Sequence, residues 1–204
     1  NEELIRAHVH AIWLTEAKLS LGSCLVKVID ANQPSLSLFD DVTQILRNFP
    51  IRQKARQRAE QVLQSIHEDL ADADWFSEGW IDEVVNKIES SFEQACERWR
   101  TLYKAALKQA DSQNAIIRDA TSSQVDRKRA ERLRAEGEQQ IKLLTSASSA
   151  IQSDFYSYRY FASEGFLPGY NFPRLPLSAF IPGRKRDQKN DEYLSRSRFL
   201  AISE

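Results

Sequence analysis

Apolar side chains recur along most of this chain at intervals of three and four, the repeat that gathers them on one face of an α-helix. Over residues 1–19, Ile5, Val9 and Ile12 keep that step, Glu16 continues it, and Leu4, Ala7, Ala11 and Leu14 widen the face. Gly22 breaks the run. A short second helix is predicted over 23–30, with Ser23 as its N-cap and Leu25, Val28 and Ile29 on one side. Asn32 to Ser37 reads as a loop. Ser37 reads as the cap of a third helix that carries Val42, Ile45, Leu46 and Phe49 and is closed by Pro50.

From Ile51 one stripe runs through Ala55, Ala59, Val62, Leu63, Ile66 and Leu70, while Arg52, Lys54, Arg56 and Arg58 lie off it. Trp75 to Trp80 interrupts this helix, and Ser77 reads as the cap of the next one. Residues 80–121 predict one short helix and one long one, on which Ile88, Phe92, Cys96, Trp99, Tyr103, Ala106, Ala110 and Ile117 recur in register. A polar break at Thr121 to Ser123 precedes another amphipathic stretch over 123–145. Its apolar face is thin, made of Val125, Ala130, Leu133, Ile141 and Leu144. Two long charged helices joined by a short polar turn predict an antiparallel helical hairpin over about 89–145, a two-stranded arm on the body.

At Ser153 the pattern changes. Ser153 and Asp154 read as the start of a short helix containing Phe155, Tyr156, Tyr158, Tyr160 and Phe161, with Gly165 as its C-terminal stop. Pro168-Gly169 is a turn signature, and Pro173, Pro176 and Pro182 lie beyond it. Residues 177–181 predict a strand, 183–191 a polar loop, and 198–203 a partner strand. The expected fold is therefore mainly α: a helical bundle over 1–150 with a long antiparallel hairpin, then an aromatic, Pro-rich segment over 151–204 leading into a short β-hairpin.

Composition supports the helical reading. Apolar residues make up 42% and charged residues 28%, with only 6 Gly and 6 Pro, a balance suited to long amphipathic helices. The net charge of -1 argues against a uniformly basic nucleic-acid binder but leaves room for a local basic patch. The two cysteines, Cys24 and Cys96, lie far apart and read as buried free thiols in a reducing compartment, hence a cytoplasmic protein. No apolar run approaches the roughly 20 residues that span a bilayer. The chain opens at Asn1 without methionine and stops at Glu204 inside an alternating stretch, so a segment of a larger protein is expected.

Candidate chemistry is sparse. A phosphate loop needs a GxxxxGK[ST] string, in which glycines admit phosphate to backbone amides, and none is present. His8 and His10 form an HxH pair, but positions i and i+2 on a helix point about 200° apart and cannot share a metal. No Ser or Cys sits in a nucleophile motif such as GxSxG. Asp69, Asp72, Asp74 and Glu78 read as a solvated acidic face. The strongest signal is aromatic and basic: Tyr156, Tyr158, Arg159, Tyr160, Tyr170, Phe172 and Arg174, then Arg184, Lys185, Arg186, Arg196 and Arg198. Aromatic rings stack on unpaired bases, and Arg and Lys pair with phosphates. Such aromatics also serve as core. A second basic run, Arg127-Lys128-Arg129 with Arg132 and Arg134, is balanced by Asp126, Glu131, Glu136 and Glu138 and reads as a solvated helix face.

The string from Asp154 to Pro176 (DFYSYRYFASEGFLPGYNFPRLP), together with Asn1 to Leu14 (NEELIRAHVHAIWL) and Tyr193 to Glu204 (YLSRSRFLAISE), resembles the region behind the second motor domain of very large bacterial DEAD/DEAH-box-type helicases of superfamily two, including phage-defence relatives. The resemblance implies a parent ATPase acting on DNA or RNA, with ATP and Mg bound by the parent's motor and no cofactor in this segment. It implies a helical accessory domain whose partners are the motor domains of the same parent chain. It carries no catalytic role to any residue. The competing expectation is a helical protein–protein interaction module that docks through the 89–145 hairpin.

Overall fold

The computed structural model describes residues 1–70, 73–146 and 155–169, apart from the side chains of His67 and Asp69, and these residues are mainly helical. Helix α1 (Glu2–Ala17) starts on Asn1, whose side chain accepts from the Leu4 N–H, and Glu2 and Glu3 sit at the positive end of its dipole. It stops at Lys18 in the left-handed conformation (φ 51), before Gly22 is reached. Its buried face is Ala7, Val9, His10, Trp13 and Ala17.

The expected second helix over 23–30 does not form. Only a 3-10 turn, Leu25–Lys27, is present; Cys24 stands at its N-cap position and no side chain caps it. The chain then extends, and Ile29 bridges Leu38 antiparallel. Leu25, Val28, Ile29, Leu36 and Leu38 are all buried, and the backbone closes on itself instead of continuing as a helix: the Asp30 N–H bonds the Ser37 carbonyl at 2.9 Å and the Phe39 N–H bonds the Val28 carbonyl at 3.0 Å. Helix α2 (Asp40–Arg47) begins three residues after Ser37, with Phe39 at its N-cap position. Pro50 does not close it. Helix α3 (Phe49–Gln64) comes at once, capped by Asn48, whose side-chain oxygen accepts from the Ile51 N–H at 3.1 Å. Pro50 lies in its first turn, where a missing N–H leaves no helical bond unmade.

The stripe from Ala55 breaks at Ser65, and a single turn, α4 (His67–Leu70), comes next. Helix α5 (Trp80–Asn86) starts from Gly79, not from a Ser77 cap. Helix α6 (Ile88–Arg118) is the long one, and α7 (Gln124–Thr145) begins on Ser123, whose hydroxyl accepts from the Asp126 N–H. Helix α8 (Ser157–Ser163) is short. No strand is present among the described residues; the segments 177–181 and 198–203, expected as strands, lie outside them. So do Ser153 and Asp154, expected to start α8, and Asp72 of the acidic face.

The chain divides into two compact units. Among the described residues, the first holds 1–70, 73–100 and 155–169, and the second 101–146. In the first, α1, α3 and α5 pack on one another. Three of the four cations that lie off the α3 stripe are structural ties. Arg56 holds the Asp82 carboxylate with two nitrogens, at 2.5 and 3.2 Å; Arg58 reaches Glu16 at 2.6 Å; Arg52 reaches the Leu46 carbonyl at 2.9 Å. The Trp80 indole donates to Glu2 at 3.1 Å, and Trp75, Phe76 and Trp80 form a ring cluster with centroids 5.1–5.8 Å apart. Arg100 is buried and holds the 30–38 segment on α6. It donates to the Leu36 carbonyl at 2.8 Å and pairs with Glu93 and Glu97. In the second unit, Gln109 donates to the Leu133 carbonyl at 2.9 Å, and Gly137 lies close to Ala106 and Ala110.

Candidate nucleic-acid interface

Helix α8 and its N-cap carry three of the sequence's candidate aromatics, Tyr156, Tyr158 and Tyr160, of which Tyr160 is core and the other two are half-buried. Tyr160 and Phe161 are fully buried. Phe161 meets Phe92 of α6 at 4.7 Å and Phe166 at 5.6 Å. The Tyr160 hydroxyl accepts from the Trp99 N–H and donates to the Ala95 carbonyl, both at 2.9 Å. Those are the two groups that a regular helix pairs with each other, so the hydroxyl sits in a rung of the α6 ladder and fixes where α8 docks. Arg98 lies over the Tyr160 ring at 5.8 Å and pairs with Glu164 at 2.6 Å. Burial, and to a lesser extent the nearby Glu164 charge, pushes the Tyr160 pKa up. Tyr160 is therefore a core residue and offers no face to a base.

The end of α8 is also anchored. Gly165 adopts φ 75, the Phe166 N–H bonds the Phe161 carbonyl at 2.9 Å, and the Gly165 N–H bonds the Ala162 carbonyl at 3.1 Å, the paired pattern of a Schellman stop. Phe166 then stacks on His10 (4.4 Å, 17°), and His10 Nδ1 meets the Phe166 carbonyl at 3.1 Å. Desolvation by burial dominates at His10; the Phe166 bond opposes it and the Arg6 charge adds to it, and the pKa falls to about 4. His10 is thus a packing residue that holds the α8 turn to α1. Among the described residues no three His, Cys, Asp or Glu side chains gather as a metal site requires. Cys24 and Cys96 are buried and not joined in a disulfide, and burial pushes the Cys96 thiol up to about 12, far from a nucleophile's range. No helix among the described residues is long and apolar enough to cross a membrane.

Tyr156 and Tyr158 are placed differently. Tyr156 occupies the N-cap position of α8 and Tyr158 its second residue. Both are half-buried, their rings 5.9 Å apart and inclined by 38°. Arg159, the next residue, is also half-buried. These three sit together because Tyr160 and Phe161 hold the same short helix against α6. Tyr170, Phe172, Arg174, Arg184, Lys185, Arg186, Arg196 and Arg198 lie outside the described residues.

The basic run on α7, read from sequence as a balanced face, divides in the same way. Arg132 and Arg134 have carboxylates one turn on, Glu136 at 3.7 Å and Glu138 at 3.4 Å. Arg127 donates to the Asp119 and Ala120 carbonyls at 3.0 Å. Asp126 accepts from the Ser123 hydroxyl at 2.6 Å, and Asp119 accepts from the Thr121 N–H and hydroxyl at 2.8 and 2.7 Å. Those Thr121 bonds, the hydroxyl's first, lower the Asp119 pKa. Lys128 and Arg129 are exposed and have no carboxylate partner among the described residues. Compared with known protein families, with curated proteins and with solved structures, the chain matches nothing in any of the three.

Proposed function

We propose that this chain is a non-catalytic accessory domain of a large ATP-dependent helicase, contributing to strand binding or to the positioning of the motor domains. The observation that carries the strand-binding part is the division of α8, whose buried Tyr160 and Phe161 fix a short helix on which Tyr156 and Tyr158 stay half-buried with their rings side by side. Stacking on a tyrosine is tolerant of sequence. ATP and Mg belong to the motor domains, and no residue of this chain is assigned to them. The helicase assignment itself rests on the resemblance of the residue strings at both ends of the chain.

Binding of a labelled single strand to the full chain, monitored by fluorescence anisotropy, tests the strand-binding part. Stacking is worth roughly 1–3 kcal/mol per base, so Tyr156→Ala/Tyr158→Ala should weaken binding about tenfold or more. The slope of affinity against salt should stay the same, because no phosphate contact is removed. A double variant that binds like the parent chain would sink this surface.

A second reading keeps a specific observation behind it. The contacts of Gln109 with Leu133, of Ala106 and Ala110 with Gly137, and of Asp119 and Ala120, just after α6, with Arg127 support an antiparallel pairing of α6 and α7. Leu107, Ile116 and Val125 are exposed on these helices, as a docking arm for another protein would require. Docking of that kind through apolar surface should be nearly indifferent to salt, whereas strand binding should weaken steadily with it.

A further inference from the structure

We propose that the turn between α6 and α7, with the first turns of α7, is a second contact for a nucleic-acid strand, made to the phosphate backbone by Lys128, Arg129, Arg132 and Arg118. The inference deepens the strand-binding reading and rests on it, but it uses different residues and a different force.

The first observation is how the arginines are used. All seven arginines of residues 1–100, from Arg6 to Arg100, are paired with carboxylates. Arg118, Arg127 and Arg129 have no carboxylate partner among the described residues. The second observation is charge segregation. Residues 1–100 hold 11 Lys and Arg against 17 Asp and Glu, a net -6, while residues 101–146 hold 9 against 6, a net +3. A chain of net -1 thus concentrates its positive potential away from its first hundred residues, and local potential decides where a polyanion binds.

Third, three of the four carboxylates that balance this run in sequence, Asp126, Glu136 and Glu138, are engaged in the fold. Asp119 and Asp126 serve the turn and the α7 cap, and Glu136 and Glu138 lie beside Arg132 and Arg134. Glu131 is the exposed carboxylate that remains on this stretch. Lys128, Arg129 and Arg132 are spaced by one and three residues, so they share a face with Val125, turned away from Ala130 and Gly137, which are buried. Arg132 is 72% exposed despite its pair with Glu136. Cations one helical turn apart, about 5.4 Å, suit consecutive phosphates. A protein partner would need a buried apolar or aromatic anchor, and among the described residues this face offers Val125 and no aromatic ring.

The test measures binding of a labelled single strand to the full chain across a range of salt concentrations. Each phosphate contact contributes about 0.7 to the log–log slope, so Lys128→Glu/Arg129→Glu should flatten the slope by about 1.4 and weaken binding about 25-fold at 0.1 M salt. Lys128→Gln/Arg129→Gln should flatten it similarly, and both positions are exposed, so circular dichroism should remain that of the parent chain. Lys54→Glu, an exposed cation in the acidic part, should change neither quantity. If the α7 variants keep the parent slope while Tyr156→Ala/Tyr158→Ala loses affinity, this proposal is overturned and the α8 surface stands. The opposite pattern supports this contact and overturns the α8 surface. Competition by polyglutamate at equal charge as effectively as by the strand would mark an acidic-protein surface and overturn the nucleic-acid assignment.

Discussion

His10 shows how one residue can tie distant parts of the chain together and leave a signature in solution. Its ring lies on Phe166 and its Nδ1 meets the Phe166 carbonyl, so α1 holds the stop of a helix more than a hundred residues away. Burial opposes protonation, and the folded pKa is about 4 against an ordinary 6.5. The unfolded chain therefore takes up a proton on this residue where the folded chain does not. Stability from neutral His10 is complete above pH 6.5 and is lost as pH falls towards 4. Between pH 8 and pH 5 that loss is about 2 kcal/mol. A His10→Gln variant, less stable at pH 8 because it loses the ring contact, should close about that much of the gap at pH 5 in urea unfolding. A gap of constant size at both pH values would rule out titration of His10 as its cause.

At the level of elements, the close approach of α6 and α7 depends on Gly137. A Cβ there would lie 3.1 Å from the Ala106 carbonyl oxygen and 3.3 Å from the Ala110 nitrogen, both backbone atoms that cannot rotate aside. Gly137→Val improves intrinsic helix propensity slightly. Overpacking should nevertheless prevail and destabilise the second unit by about 1–3 kcal/mol. Thermal melting monitored by helical circular dichroism measures it, and an unchanged melt would show that the two helices can separate at no cost. The helices themselves were largely legible, because Phe92, Cys96, Trp99 and Tyr103 repeat at helical spacing and bury as expected. The segment over 23–38 was not. Leu25, Val28 and Ile29 would share a face on a helix, but the same run is buried as well by a 3-10 turn that leads into the Ile29–Leu38 bridge. Pro50 misled for a related reason, since proline marks the start of a helix as readily as its end, and Asn48 decides between them. At the candidate site, sequence alone identified the aromatic stretch but could not separate Tyr160 from Tyr158. Two residues apart on a helix, they point in different directions, and only the docking of α8 on α6 determines which is buried. The cations at Lys128 and Arg129 were hidden by neighbouring acids whose engagement in caps and pairs is a three-dimensional fact.

Across the molecule, α6 is one helix shared between two units, and its burial is uneven. Residues 88–100 bury Ile88, Phe92, Ala95, Cys96, Trp99 and Arg100, whereas residues 101–118 bury Tyr103 and Ala106. Helix propensity barely distinguishes the halves. Most helical stability in proteins comes from the packed face and not from propensity, so the two halves should open with different free energies. Amides of the Phe92 to Trp99 stretch should exchange only on opening of the first unit's core. Amides from Ala110 to Arg118 should exchange by local opening, faster by a factor of about ten for each ~1.4 kcal/mol of difference. Hydrogen exchange resolved along α6 by mass spectrometry reads this directly. Protection that falls between Trp99 and Arg118 is the expected result. Uniform protection along the helix would mean that the two units open together. A local opening would also bear on the contact proposed at Arg118, Lys128 and Arg129, because a bound strand should slow exchange there and leave the Phe92 to Trp99 stretch unchanged.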